Sequence, residues 1–200
     1  MINSSVNLGF LSSGNGSSAR AIVAAIEAGA LDARACLMVS NKKDAPALAF
    51  AAQAGIPIVV IPTKSDPDAA DARLLEVMQA HGVNLIVLSG YLRQLGPRTL
   101  AAYRNRVLNI HPGPLPRFGG AGMYGRRVHE AVIAAGVAQS GITVHLVDEE
   151  YDRGPTLDER SVPVEPGDSP ETLERRVTSL EPAFFVQTLG RIARGEIKLP

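Results

Sequence analysis

The sequence predicts a single α/β domain with a mostly parallel central sheet and helices on both faces. Three observations carry this. Apolar β-type runs alternate with helical patterns through the first half of the chain, which reads as βαβ units. The run NLIVLSG (84–90) is almost continuously apolar, as a strand covered on both faces is. The 200 residues suffice for one sizeable core and are short for two domains, and no linker or internal repeat divides them.

The elements follow in order. NLGFLS (7–12) is a first strand, and ARAIVAAIEAGA (19–30) a helix with Ile22, Val23 and Ile26 on one face and Gly29 near its end. ARACLMVS (33–40) is a second strand. Asp44 and Pro46 suit the N-cap and first turn of a helix reaching Ala54. IPIVVI (56–61) is a third strand, and a helix after TKSDPD (63–68) buries Leu74, Leu75, Val77 and Met78. After the fourth strand at 84–90, RVLNI (106–110) is a strand, YGRRVHEAVIAAG (124–136) a helix and GITVHLV (141–147) a strand. TLDERSVPV (156–164) reads as antiparallel at the sheet margin. Asp168 or Ser169 caps a long final helix that Pro182 kinks or divides. The halves meet near residue 105, giving one domain of two halves, about 1–105 and 106–200.

Composition narrows the function. The chain is 46% hydrophobic and 20% charged, and its 20 Lys and Arg balance 20 Asp and Glu. No basic excess advertises a nucleic-acid partner. No segment approaches the roughly 18 apolar residues of a membrane span. The N-terminus lacks the charged and apolar regions of a secretory signal, so the expected location is the cytoplasm. The single cysteine, Cys36, lies in a strand and reads as inert core. None of the four histidines shows metal-ligand spacing, so no metal is expected. His145 reads as a buried, hydrogen-bonded strand residue, and His81 and His129 as surface positions on helices.

Four segments carry candidate chemistry. SSGNGSSA (12–19) joins the first strand to the first helix. Gly14 and Gly16 let a ligand approach the backbone, and Asn15, Ser17 and Ser18 lie beside the free N–H groups of the helix start, an anion site by geometry and dipole. Gly14, Gly16 and Ala19 also fit a dinucleotide fingerprint, but the second strand ends in SNKKD, with no acidic residue at its tip for a ribose hydroxyl. In NIHPGPLP (109–116), Asn109 and His111 alternate on extended chain and leave the same face. Pro112, Pro114 and Pro116 end that strand and stiffen its exit. An amide donor beside an imidazole suits a developing oxyanion; a hydrogen-bonded histidine at a strand end is the plain alternative. DEEYDRGP (148–155) crowds Asp148, Glu149, Glu150 and Asp152 around Tyr151, and the Gly154-Pro155 turn can hold Asp152 inward, where it would raise the His111 pKa. SGYLRQLGP (89–97) places Arg93 between two glycines at the expected ligand edge.

Together these segments resemble the folate-dependent formyltransferase family, most specifically in NIHP, DRGP and SGNGSS. The resemblance covers residues 7 to beyond 181 and implies a Rossmann-like three-layer α/β/α fold with a mostly parallel, mixed sheet. It implies transfer of a formyl group from 10-formyltetrahydrofolate to the amine of glycinamide ribonucleotide in purine synthesis. By position, Asn109, His111 and Asp152 would be catalytic, with Asp152 keeping His111 charged. Gly14, Asn15, Gly16, Ser17 and Ser18 would hold the substrate phosphate, and Glu181 its ribose. The folate would enter a cleft lined by Leu92, Arg93, Leu95, Val147, Asp148, Glu149, Glu150 and Tyr151. The chain departs from the family in Arg153, in PTLDER, in Thr178 where Gln is frequent, and in Pro182 where His is frequent. Another amino sugar phosphate or nucleotide as acceptor, a nucleotide-binding oxidoreductase and a non-catalytic sugar-phosphate sensor are the competing readings. Both a monomer and a homodimer fit the sequence.

Overall fold

The computed structural model describes residues 5–200. Seven strands form one sheet: β1 (Val6–Leu11), β2 (Ala33–Ser40), β3 (Ile58–Val60), β4 (Leu85–Leu88), β5 (Val107–His111), β6 (Gln139–Leu146) and β7 (Thr156–Pro163). Their order is β3-β2-β1-β4-β5-β6-β7. The first five run parallel, and β6 and β7 are antiparallel to their neighbours, β7 at the margin as the sequence predicts. Among the described residues no helix is long and apolar enough to cross a membrane.

Strand pleating sorts side chains into two cores, because successive residues point to opposite faces. Leu8, Phe10, Met38, Leu85, Val87 and Leu108 pack on one face. There they meet α1 (Ser17–Glu27), α2 (Pro46–Gln53), α5 (Arg126–Ala134) and α6 (Pro170–Ala193). Leu11, Leu37, Val39, Ile86, Leu88 and Val107 point the other way, against α3 (Pro67–Ala80) and the short α4 (Pro97–Ala102). On this second face Gly9 lets α3 approach closely. A Cβ there would stand 2.5 Å from the Met78 sulfur and 2.9 Å from Val83. Cys36 is buried in the same core, and burial raises its thiol pKa.

Local chemistry sets the helix starts. Asp66 accepts from the Ala69 N–H at 2.9 Å ahead of Pro67 in α3. Ser169 and Thr172 cap each other at the start of α6, settling the choice between Asp168 and Ser169. In α2 the cap is Ala45 rather than Asp44, and it makes no side-chain cap bond; Pro46 alone marks the start. Pro182 does not divide α6, which is continuous from Pro170 to Ala193.

The sequence reading missed α4, whose cap comes from elsewhere in the chain. Asp71 of α3 is buried, and its carboxylate accepts from the N–H groups of Arg98 and Thr99 at 2.8 and 3.1 Å and from the Thr99 hydroxyl at 2.6 Å. These donors would otherwise be orphans of a helix start. Replacing Asp71 by Ala should destabilise the protein by about 1–3 kcal/mol, lowering Tm by roughly 3–10 °C. Calorimetry of the purified variant checks this, and an unchanged Tm would remove Asp71 from the account of α4.

Candidate active site

The carboxyl ends of β1, β2, β4 and β5 open into a cavity of about 740 Å³ on the α1, α5 and α6 face. Ligands of open α/β sheets bind in this position. Its lining includes Asn15 to Ser18, Asn109, His111, Asp152 and Glu181. Most of the residues singled out in sequence therefore converge, although they come from five separate stretches of chain.

The first wall is the turn from β1 into α1. Gly16 caps α1 in the left-handed conformation, φ 65°, and a Cβ there would stand 3.0 Å from that of Ala47. Only glycine fits both demands. Ser17 and Ser18 open the helix, so their N–H groups have no intrahelical partner, whereas the Ala19 N–H is taken by the Ser89 hydroxyl at 3.0 Å. Two free N–H groups and the helix dipole make an anion site. Asn41 and Lys42, from the end of β2, stand in the same cavity. The sequence reading passed over this pair; a lysine two residues past the strand tip was the signal. Dinucleotide folds place an acidic residue at that tip, so the amide and ammonium favour a phosphate over a nicotinamide dinucleotide.

At the floor, Asn109 and His111 leave the same side of β5. Strand β6 sets Asn109 directly opposite His145, and the Asn109 amide Nδ2 lies 3.1 Å from His145 Nε2. His145 Nδ1 donates to the Leu146 carbonyl at 2.9 Å, which turns Nε2 toward both the Asn109 amide and Asp152. The contact with Nε2 holds the Asn109 amide in place at the cavity floor. His145 is thus buried and hydrogen-bonded, as expected, but it also belongs to the site.

His111 is buried, and its Nε2 donates to the Phe118 carbonyl at 2.8 Å. Its Nδ1 lies 3.6 Å from Asp152 Oδ2, and His145 Nε2 lies 3.5 Å from Asp152 Oδ1. Asp152 adopts φ 56°, a left-handed conformation that Asp and Asn tolerate better than most residues. The Gly120 N–H donates to its Oδ2 at 3.0 Å. Burial alone would raise the Asp152 pKa, but His145, His111 and this N–H together hold it below the usual carboxylate value. The resemblance implies that Asp152 keeps His111 charged, and the direction found is the opposite. Burial lowers the His111 pKa by more than Asp152 and the Phe118 bond raise it, so the imidazole rests neutral at pH 7.

On α6, Glu181 and Thr178 line the cavity one helical turn apart. Burial pushes the Glu181 carboxyl up to about 7. The Thr178 hydroxyl is turned back onto the Glu174 carbonyl at 2.7 Å. Pro182 has no N–H to give the Thr178 carbonyl, so an acceptor is left free beside Glu181.

The residues expected around a folate divide. Leu92, Arg93 and Tyr151 line the large cavity; Leu92 and Tyr151 are 60% and 50% exposed at its mouth. Arg93, Leu95 and Glu149 line a neighbouring cavity of about 490 Å³ against α3 and α4, and Tyr91 and Arg93 face both spaces. Gln94, not singled out in sequence, donates to the Glu149 carbonyl at 3.1 Å and ties the two loops together. Val147, Asp148 and Glu150 line neither cavity. Val147 packs against the second core, and Asp148 closes a turn on the Glu150 N–H at 3.0 Å. Gly14 borders the anion site without lining the cavity. His129, expected at the surface, is instead fully buried in the cavity wall. Its helical phase explains this, since Val132 and Ile133 at i+3 and i+4 share its face.

Comparison with known proteins shows the family. The sequence profile of the formyl transferase family matches residues 6–189. A phosphoribosylglycinamide formyltransferase of Bacillus subtilis is 37% identical over 190 residues, spanning 92% of this chain and 95% of that protein. A chloroplastic phosphoribosylglycinamide formyltransferase of Arabidopsis thaliana is 39% identical over 93% of this chain, which spans 65% of that relative's length. A second plant relative, from Vigna unguiculata, is spanned over 60% of its length. The crystal structure of glycinamide ribonucleotide transformylase 1 from Symbiobacterium toebii superposes with a TM-score of 0.88 at 33% identity, covering 98% of this chain and 91% of that one. The chain belongs to the formyl transferase family.

Proposed function

We propose that the protein transfers a formyl group from 10-formyltetrahydrofolate to the amine of glycinamide ribonucleotide. The observation that carries this is one cavity holding the Asn109, His111 and Asp152 cluster together with the anion site at Ser17 and Ser18. Phosphate on those N–H groups, with Lys42 beside it, anchors the acceptor at one end, and Glu181 takes its ribose hydroxyls. The amine then reaches toward Asn109 and His111. The folate lies along Leu92, Arg93 and Tyr151, and its pterin ring takes the adjoining space at Leu95.

The amine lone pair attacks the formyl carbon, and the carbonyl π pair moves onto oxygen. The Asn109 amide donates to that oxyanion. The new C–N bond leaves the amine nitrogen with an extra proton. Neutral His111 is able to take it, because Asp152 stands beside Nδ1 to stabilise the imidazolium that forms. Collapse of the tetrahedral intermediate breaks the bond from carbon to folate N10, and the proton passes to N10.

Asn109→Ala should lower kcat by about 10²-fold or more, the effect of removing one oxyanion donor. Asp152→Asn tests charge alone, because asparagine also tolerates the left-handed backbone. It should lower kcat to a similar degree with little change in Tm. Steady-state assays with both substrates measure these effects, and near-normal turnover in either variant would sink the mechanism.

Glu181 gives a pH signature. A carboxylate accepts from both hydroxyls of a diol, whereas its protonated form loses acceptor capacity. With its pKa at about 7, falling pH protonates Glu181 and weakens ribonucleotide binding. The KM for the ribonucleotide should rise severalfold between pH 8 and 6, on the order of tenfold per unit once below the pKa. Glu181→Gln removes this titration, so its KM should be higher at pH 8 and flatter across the range. Parallel profiles for the two proteins would return Glu181 to a bystander.

A further inference from the structure

His129 on α5 has no role in the chemistry above. It is fully buried, and neither ring nitrogen has a hydrogen-bond partner among the described residues. Buried polar groups are normally paired, and an orphan calls for an explanation. Burial sets the direction of its pKa, which is lowered despite the opposing charge of Glu174, while His111 and Arg126 add to the fall. The ring is therefore neutral, with one donor and one acceptor.

The place of the orphan indicates what it is for. His129 lines the cavity together with Thr178 and Glu181, yet both nitrogens are shielded from solvent. The whole residue is enclosed in the cavity wall, so a ligand meets a ring nitrogen only when that wall shifts on binding. The terminal torsion of histidine is broad and roughly two-fold, so a half-turn swaps carbon and nitrogen edges within nearly the same volume. The α6 side chains that share this lining supply no donor. The Glu181 carboxylate has no hydrogen-bond partner among the described residues and offers only acceptors once ionised. The Thr178 hydroxyl is already spent on the Glu174 carbonyl. A sugar hydroxyl that donates to Glu181 still has lone pairs to satisfy, and an imidazole N–H fits them.

We propose that His129 is a substrate-binding residue that hydrogen-bonds a ribose hydroxyl of the acceptor nucleotide from the α5 side, opposite Glu181. This rests on the acceptor being a ribonucleotide bound in the large cavity. His129 then discriminates ribose from deoxyribose, because a deoxy acceptor leaves its nitrogens unpaired.

The test measures binding by calorimetry for glycinamide ribonucleotide and for its 2′-deoxy and 3′-deoxy analogues, in wild type and in His129→Leu. Wild type should bind at least one deoxy analogue about tenfold or more weakly than the ribonucleotide. His129→Leu should bind the ribonucleotide at least about fivefold more weakly than wild type and should lose most of that discrimination. Its Tm should be equal or higher, since an apolar side chain replaces an unsatisfied polar one. Discrimination that survives intact in the variant overturns the proposal. Histidine ¹⁵N resonances of the wild-type protein give a second measurement that needs no variant. Ring nitrogens of His129 should shift when the ribonucleotide binds, and unmoved resonances overturn the proposal as well. A wild-type protein that binds no ribonucleotide fails at the parent reading, an outcome separate from binding without a role for His129.

Discussion

The antiparallel pairing of β6 with β5 is the constraint on which the rest of the site depends. It sets His145 opposite Asn109 and Thr143 opposite His111. The first pair orients the Asn109 amide. In the second, the Thr143 hydroxyl donates to the Gly113 carbonyl at 2.8 Å and holds the proline-rich exit from β5. The chain then leaves β6 and returns at once, with the Leu146 N–H bonded to the Pro155 carbonyl at 2.9 Å. Gly154 lies so close to the Leu146 carbonyl that no side chain fits between them. The intervening loop therefore closes tightly, and Asp152 is carried back over the end of β5 in a left-handed turn.

The parts legible in the sequence are those with local causes. Hydrophobic period, proline and capping residues placed most strands and helices, and β7 read as an antiparallel margin. Asn109 and His111 were readable because alternation on a strand is a local rule. What escaped had distant causes. The cap of α4 is supplied by Asp71, 28 residues before Thr99. The membership of His145 in the site depends on strand register, which a single segment does not state. His129 was misplaced because its polarity was weighed above its helical phase, and Lys42 because only an acidic residue was sought at the tip of β2.

Burial competes with charge throughout the site, and the outcomes differ residue by residue. At His111 burial prevails, and the ring rests neutral although Asp152 is close. At Asp152 two imidazoles and a backbone N–H prevail, and the carboxylate stays ionised. At Glu181 no partner opposes burial, so its proton affinity reaches the physiological range. A neutral base beside an ionised carboxylate suits proton transfer, since the charge that forms during reaction meets a counter-charge already in place.

The topology leaves room for two ligands to meet here. Strand order reverses between β1 and β4, since β1 leads outward to β2 and β3 while β4 leads to β5. Chains leaving these two strands diverge and open a crevice at their carboxyl ends. One departing chain supplies Gly16 to Ser18, and the other supplies Ser89 to Arg93. The larger cavity lies toward α1, α5 and α6, and the smaller lies on the opposite face against α3 and α4. Tyr91 and Arg93 at the end of β4 border both. A molecule entering from the α3 face and another held on the α1 face therefore approach each other over the ends of β4 and β5. Asn109 and His111 stand at that meeting point because β5 is the next strand beyond β4, and its exit is stiffened by proline.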